Sequence, residues 1–376
     1  MKTLKDIQYF DGVKVLVRVD FNVPILHNKV TDEFRLKSAL PTIDYLRSRG
    51  AKIILMAHLE SNSGDNLSLE PVSKDLETLG VKAPLYKDYN KARLFIDGQM
   101  RNGDCILLEN LRFSDGEKNN DPVFAKALAS MADIYVNEAF SVCHRKHASI
   151  IGVPKYIPGY AGLQLENEIK HLSKAFNPAH PFMFLLGGAK FETKLPLLDK
   201  FMKTADTVFV GGALASDFYK EKGWEIGKSK TSTGNFNLSR YVKSPKLLLP
   251  IDVTLADGSI KASDKLTAND KIMDSGPKTV DMLREKVATA KFILWNGPLG
   301  VYEDGYHQPT MDLARMISDA TVKGAESVIG GGDTLAAVAE QGLQETFTFM
   351  STGGGAMLDF LAQGTLPGIQ ALDTSA

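Results

Sequence analysis

Two lysines, Lys190 and Lys194, stand four residues apart in 182-FMFLLGGAKFETKLP-196, directly after the glycines Gly187 and Gly188. Glycines let backbone N–H groups approach an anion closely, and a helix N-terminus behind them adds the positive end of its dipole. The apolar run FMFLL bounded by glycines reads as a buried strand. Pro196 fits a helix only in its first turn, so the spacing predicts a helix starting near Thr193 with Lys194 at its N-terminus. A cation opposes the dipole there, unless an anion is held at the same point. Two loops of the same kind follow, 330-GGGDT-334 and 352-TGGGA-356. The segment 334-TLAAVAEQG-342 reads as a helix ending at Gly342, which puts Asp333 at its start as an N-cap or a magnesium ligand. One such loop is more often a structural turn; three in one half of the chain point to a nucleotide.

The first half carries a different chemistry. Arg18, Arg35, Arg47, Arg49, Arg93, Arg101, Arg112 and Arg145 fall within the first 150 residues, against Arg240, Arg284 and Arg315 beyond. Arginine grips carboxylate and phosphate bidentately, so an anionic ligand is expected here, although Arg47, Arg49, Arg93 and Arg101 read as solvated surface. Familiar signatures are absent: there is no GxGxxG and no protein-kinase catalytic loop. The segment 223-GWEIGKS-229 mimics a Walker A loop but is one residue short and follows no strong strand. In 144-HRKH-147 two histidines lie beside Arg145 with no carboxylate nearby in sequence, which disfavours a metal site.

These residues hang on a repeating frame. Short apolar runs at 13–21, 51–59, 105–113, 133–140, 182–186, 207–210, 246–253, 291–295, 325–329 and 347–350 alternate with stretches of helical periodicity such as 122–133 and 309–320. Alternating strand and helix predicts α/β architecture with parallel sheets covered on both faces. So many strands divide better between two doubly wound, Rossmann-like domains, with a seam and a hinge helix near 155–181. Polar residues follow nearly every run at the same end: Asn22, His58, Asn110 and Arg112, His144 and Arg145 in the first half. In the second half they are Gly187 and Gly188, Gly211 and Gly212, Asp252, Asn296, and the GGGD and TGGG loops. Ligands bind outside the carboxyl ends of such strands.

The 376 residues are 44% hydrophobic and 24% charged, with formal net charge -1, which gives no general affinity for nucleic acid or membrane. Two cysteines, Cys105 and Cys143, exclude a disulfide framework or a four-cysteine zinc site. The N-terminus shows no signal core and no 18-residue apolar span occurs, so a soluble cytoplasmic protein is expected.

Taken together, 18-RVDFNVP-24, 35-RLKSALPTI-43, 107-LLENLRF-113, 136-VNEAFSVCHRKHAS-149, 187-GGAKFETK-194, 295-WNGPLGVYE-303, 330-GGGDT-334, 351-STGGGAMLDFL-361 and 366-LPGIQAL-372 resemble the phosphoglycerate kinase family. The match runs in order from residue 13 to about 372. The resemblance implies reversible magnesium-dependent phosphoryl transfer from 1,3-bisphosphoglycerate to ADP, giving 3-phosphoglycerate and ATP, by a monomer. It implies a phosphoglycerate-binding domain (1–160), a hinge helix (161–177), a nucleotide-binding domain (178–360) and a tail (361–376) returning to the first domain. It also implies roles for single residues. Asp20, Phe21 and Asn22 meet the substrate's hydroxyl and carboxyl groups; His58, Arg112 and Arg145 hold the non-transferred phosphate. Arg35 and Lys190 reach the transferring group, with Gly331 and Gly332 as backbone donors. Gly187, Gly188, Lys194, Gly212, Asn296, Pro298, Gly332 and Thr334 line the nucleotide side, with Glu303 on the ribose and Asp333 on magnesium.

One departure from the family pattern matters. Where the family has a sequence similar to His-Leu-Gly-Arg-Pro, this chain reads 58-HLESNSG-64, so Glu60 and Ser61 replace a glycine and an arginine of the basic patch. An anion beside a phosphate site weakens binding unless it points away or pairs with a cation. Weaker affinity for phosphoglycerate is therefore expected unless another basic residue compensates. Phe191, Glu192, Thr193 and Ser141 also depart and are expected to be tolerated. The rival readings are a nucleotide-binding module that has lost turnover and a NAD-dependent dehydrogenase, the latter disfavoured by the missing glycine fingerprint.

Overall fold

Runs of Val, Ile, Leu and Phe become strands buried on both faces, which is what parallel sheets require. The computed structural model describes residues 1–61, 63–189, 191–234 and 236–376. They form two compact units, Met1–Lys170 with Gln363–Ala376, and His171–Ala362. No helix among the described residues is long and apolar enough to cross a membrane.

The first unit contains β1 (Lys14–Arg18), β2 (Ile25–Leu26), β3 (Lys29–Val30), β4 (Lys52–Met56), β5 (Leu85–Tyr86), β6 (Cys105–Leu108), β7 (Ile134–Asn137) and β8 (Gly159–Ala161). Six of them form one parallel sheet in the order β5-β6-β4-β1-β7-β8, and β2 and β3 pair as a small hairpin. The chain winds outward from β1 to β4 on one side and later returns to β7 on the other. That reversal opens a crevice at the carboxyl ends of β1 and β7, where ligands bind in such sheets.

The second unit repeats the plan. Its strands are β9 (Phe182–Leu186), β10 (Thr207–Val210), β11 (Leu247–Leu248), β12 (Asp252–Leu255), β13 (Ile260–Ala262), β14 (Ile272–Ser275), β15 (Phe292–Asn296), β16 (Glu326–Gly330) and β17 (Phe349–Ser351). The parallel order is β11-β10-β9-β15-β16-β17, so the reversal lies between β9 and β15. Trp295, Phe184 and Phe209 are fully buried in this sheet.

Two expectations need correcting here. The run 246–253 is two strands rather than one: β11 closes the parallel sheet, while β12 joins β13 and β14 in a separate antiparallel sheet. Pro250 lies between them; it has no N–H to continue a ladder, and its carbonyl is taken by the hydroxyls of Tyr219 and Ser263, each at 2.7 Å. The helix after the first glycine pair spans Phe191–Thr204, so Pro196 is its sixth residue and lies in the second turn. The predicted start at Thr193 was two residues late, because the proline was assigned to the first turn.

The helix Leu163–Ser173 spans the change from one unit to the other. Its N-terminus is anchored in the first unit. Leu163 N–H donates to Thr42 Oγ1 (2.9 Å), Gln164 N–H donates to Glu138 Oε1 (3.0 Å), and the Thr42 hydroxyl donates to the same carboxyl oxygen (2.5 Å). Thr42 belongs to the helix Phe34–Arg47, and Glu138 directly follows β7. The C-terminal helix Pro367–Asp373 packs on the first unit through Gly368 N–H to the Cys143 carbonyl (2.8 Å) and Asp373 to the N-terminal ammonium (2.9 Å).

Burial pushes the Glu138 carboxyl up to about 8, against the opposing pull of its hydrogen bonds from Thr42 and Gln164. A carboxyl raised above its ordinary 4.5 supports the fold fully below that value and loses its contribution as pH climbs to about 8. Glu138→Gln, which keeps the acceptor and removes the charge, should therefore leave stability near pH 5 little changed and raise it near pH 8. Urea unfolding at about pH 5 and about pH 8 measures this; an equal pH dependence in both proteins would contradict it.

Candidate functional site

In the first unit the polar residues at the carboxyl ends of β1 and β7 converge. Arg35 projects from the helix Phe34–Arg47, and its Nη1 donates to Asp20 Oδ1 (3.1 Å) and to the Asn22 carbonyl (3.0 Å). Asp20 Oδ2 also accepts the Ser141 hydroxyl at 2.5 Å. Asn22 Oδ1 accepts the Glu60 N–H at 2.9 Å, tying the loop after β4 to the loop after β1. Phe21 is fully buried in the core, which leaves its backbone as the part near this surface.

Behind these residues lies a dense basic layer. The Arg18 side chain is buried, with Nη2 3.0 Å from His58 Nδ1 and Nε donating to Ser149 Oγ at 2.9 Å. His58 is itself buried, and burial together with Arg18, Arg112 and Arg35 holds its imidazole well below the ordinary range, hence neutral. Burial, then Arg112, Arg18, Arg145 and Lys118, bring His147 down to about 4. These shifts report one thing: several cations crowd a half-dry space. Arg145 sits exposed beside this layer. Glu117, fully buried, accepts the Ser149 hydroxyl (2.6 Å) and amide (2.9 Å) and lies 3.8 Å from His147 Nδ1. The histidine pair 144–147 thus does have a carboxylate beside it, supplied from a distant part of the chain. Glu60 is paired with Arg112 and lies 3.5 Å from Lys118.

In the second unit the glycine loops follow β9, β16 and β17 at one edge of the same sheet. Gly187 N–H donates to the Asn296 carbonyl and Gly188 N–H to the Pro298 carbonyl, both at 2.9 Å, so the loops after β9 and β15 form one surface. A Cβ on Gly187 would stand 2.1 Å from the Pro298 oxygen, a backbone atom that has no room to retreat. Gly212, at φ +62°, precedes the helix Ala213–Glu221, and a Cβ there would meet the backbone N of Gly188 at 2.7 Å. Glycine is required at both by close approach, and at Gly212 by the left-handed backbone as well.

Lys194, in the first helical turns of Phe191–Thr204, is nearly buried and donates to the Gly187 carbonyl. Burial lowers its ammonium to about 8, with Asp333 pulling the other way. Asp333 is an exposed residue in the first turn of the helix Gly332–Glu340, whose N-cap is Gly331. It is therefore not the N-cap. Thr334 is buried, and its Oγ1 accepts the Gly297 N–H at 2.9 Å; the hydroxyl joins the loops after β15 and β16. Glu303 is exposed in the turn Tyr302–Asp304, and Asn296 is buried at the end of β15. Gly331 and Gly332 stand at the N-terminus of their helix, where unpaired N–H groups and the dipole favour an anion. Lys190 lies outside the described residues.

In the Walker-like segment 223–229 the Ile226 and Gly227 N–H groups donate to the Glu225 carboxylate (3.0 and 2.8 Å), so an anion of the chain itself already occupies the turn. The sequence counted Arg18 among the arginines of the first half but gave it no role in the site, and it gave no sign of Lys118. Arg18 stands in RVDFNVP two residues before Asp20, and that position adds to its signal. Lys118 lies in a polar stretch that offers no local clue.

The family model described as phosphoglycerate kinase matches residues 4–364. The phosphoglycerate kinase of Dictyoglomus turgidum is 42% identical over 392 residues, covering 99% of this chain and 98% of that protein. The phosphoglycerate kinase of Chloroherpeton thalassium is 42% identical over 395 residues, covering 100% and 99%. Among solved structures, phosphoglycerate kinase from Coxiella burnetii superposes with a TM-score of 0.86 at 34% identity, covering 99% of this chain and 98% of that one. The enzyme from Pyrococcus horikoshii gives 0.84 at 32%, with the same coverage. Sequence, fold and relatives agree: the chain belongs to the phosphoglycerate kinase family and is a phosphotransferase.

Proposed function

We propose that the protein catalyses the glycolytic, reversible transfer of a phosphoryl group between 1,3-bisphosphoglycerate and ADP, forming 3-phosphoglycerate and ATP by direct in-line displacement. The first unit takes the phosphoglycerate and the second the nucleotide. The observation that carries this reading is Lys194: a nearly buried ammonium, lowered to about 8, stands beside a helix N-terminus and two glycine loops at the reversal between β9 and β15. An ammonium so placed is costly in an empty protein and favourable with polyphosphate above it.

The chemistry asks for positioning and charge more than for covalent help. In the ATP-consuming direction the nucleophile is a carboxylate, ionised near neutral pH, so no general base is needed. Asp20 and the Asn22 carbonyl hold one nitrogen of the Arg35 guanidinium, setting the fork's direction in advance. Arg35 and Lys190 would supply positive charge as the equatorial oxygens of the transferring group gain negative charge. They belong to different units, so the reading requires hinge motion that brings both to one phosphoryl group and excludes water.

Magnesium fits as a partner of the nucleotide. Among the described residues no three His, Cys, Asp or Glu side chains converge into a metal cage. A lone exposed carboxylate, Asp333, suits an ion that keeps several waters and takes its other ligands from phosphate. When bound, the ion neutralises charge on the phosphates; Asp333 would orient it. A monomer in the cytoplasm belongs to the same reading, and the two buried free thiols suit a reducing compartment.

A coupled assay with ATP, magnesium and 3-phosphoglycerate tests the activity directly; ADP binding without turnover would support a module in place of an enzyme. Lys190→Ala should lower turnover by roughly 100-fold or more while changing nucleotide affinity little. Near-normal turnover would remove Lys190 from the mechanism. Lys194→Met separates binding from folding. An ammonium depressed from 10.5 to about 8 costs stability fully below pH 8, and the cost fades as pH rises to 10.5. The variant should therefore gain up to about 3 kcal/mol at neutral pH without ligand, and lose about tenfold or more in ADP affinity. Thermal melts with and without ADP would show the opposite shifts; a variant that binds ADP normally contradicts the assignment.

A further inference from the structure

Glu60 stands in the middle of the cations that face the first unit's site. Its carboxylate pairs with Arg112 and lies 3.5 Å from Lys118, while its N–H is fixed to Asn22 Oδ1. The Arg112 side chain is only 8% exposed, and its buried Nε has no hydrogen-bond partner. A buried guanidinium N–H left unpaired is costly, and the Glu60 carboxylate, bound through Nη1, leaves it so. A tetrahedral anion, with a third oxygen, can reach donors that a carboxylate misses. The charge balance points the same way. Arg18 and Arg112 bear on both depressed histidines, Arg35 on His58, and Arg145 and Lys118 on His147. The nearby carboxylates are Asp20, Glu60 and Glu117. Positive charge remains in excess even with Glu60 in place.

We propose that Glu60 is a built-in competitor for the phosphate group of the substrate. Its carboxylate occupies Arg112 and Lys118 in the empty protein, and the phosphorylated acid binds by exchange, its phosphate oxygens replacing the carboxylate on those cations. Glu60 thus sets the affinity for the phosphorylated end without touching the reacting atoms. The inference rests on reading this patch as the phosphate end of the substrate site.

The test compares the wild-type full chain with Glu60→Gln, which keeps the side-chain volume and the backbone bond to Asn22, and with Glu60→Gly. Two readouts are taken: KM for 3-phosphoglycerate against KM for ATP, and calorimetric titration with inorganic phosphate. Exchange predicts that both variants lower KM for 3-phosphoglycerate by roughly tenfold, leave KM for ATP unchanged, and bind inorganic phosphate more tightly. A structural role for Glu60, orienting Arg112 for its ligand, predicts a higher KM and weaker phosphate binding, and that result overturns the proposal. Unchanged values overturn it too. If no form turns over 3-phosphoglycerate, the proposed function fails separately, and the phosphate titration alone decides on Glu60: tighter binding in the variants supports exchange, equal or weaker binding overturns it.

Discussion

A cation taken out of water must be given another partner, and that constraint organises both halves of this protein. Lys194 in the second unit is nearly buried against a carbonyl and two glycine loops. Arg18 and Arg112 in the first are buried among histidines and carboxylates. In neither place does the protein cancel its positive charge completely. What remains is a standing field at the sheet edge, suited to a phosphate group and costly without one.

The doubly wound sheets explain why these cations meet. In each sheet the chain crosses from one side to the other at a single pair of neighbours, β1 and β7 or β9 and β15. At that reversal neighbouring loops splay apart, and only there can side chains from distant parts of the chain face one space. Asp20 after β1 and Ser141 after β7 share a hydrogen bond for this reason. So do Gly187 and Gly188 after β9 and the carbonyls of Asn296 and Pro298 after β15. The glycines are then steric necessities of two loops in contact, their own N–H groups being spent on holding those loops together.

The same logic accounts for the residues that carry tension. Glu138 is buried so that it can hold the first N–H groups of the helix linking the units, through a hydroxyl from the helix that also bears Arg35. Glu60 sits opposite Arg112 because its backbone is fixed by Asn22, itself placed by β1. In each case a backbone tie decides where a charge must go, and the electrostatics adjust to it.

Much of this was legible in the sequence. Apolar runs bounded by glycine located β9, β10, β15 and β16 almost to the residue, because a strand buried on both faces has no polar positions to blur its ends. The alternation of strand and helix determined the two parallel sheets, and the polar residues after each run marked the edge at which the candidate site residues gather. The antiparallel sheet β12–β14 was not legible, since strands of three or four residues leave a weak pattern and β12 was hidden behind Pro250. Nor could the sequence say that Thr334 would bond Gly297, that Glu117 would approach His147, or that Lys118 and Arg112 would both face Glu60. Local patterns encode which face of an element is buried. Which side chain meets which across 30 or 60 intervening residues is decided only when helices and loops pack on the finished sheet.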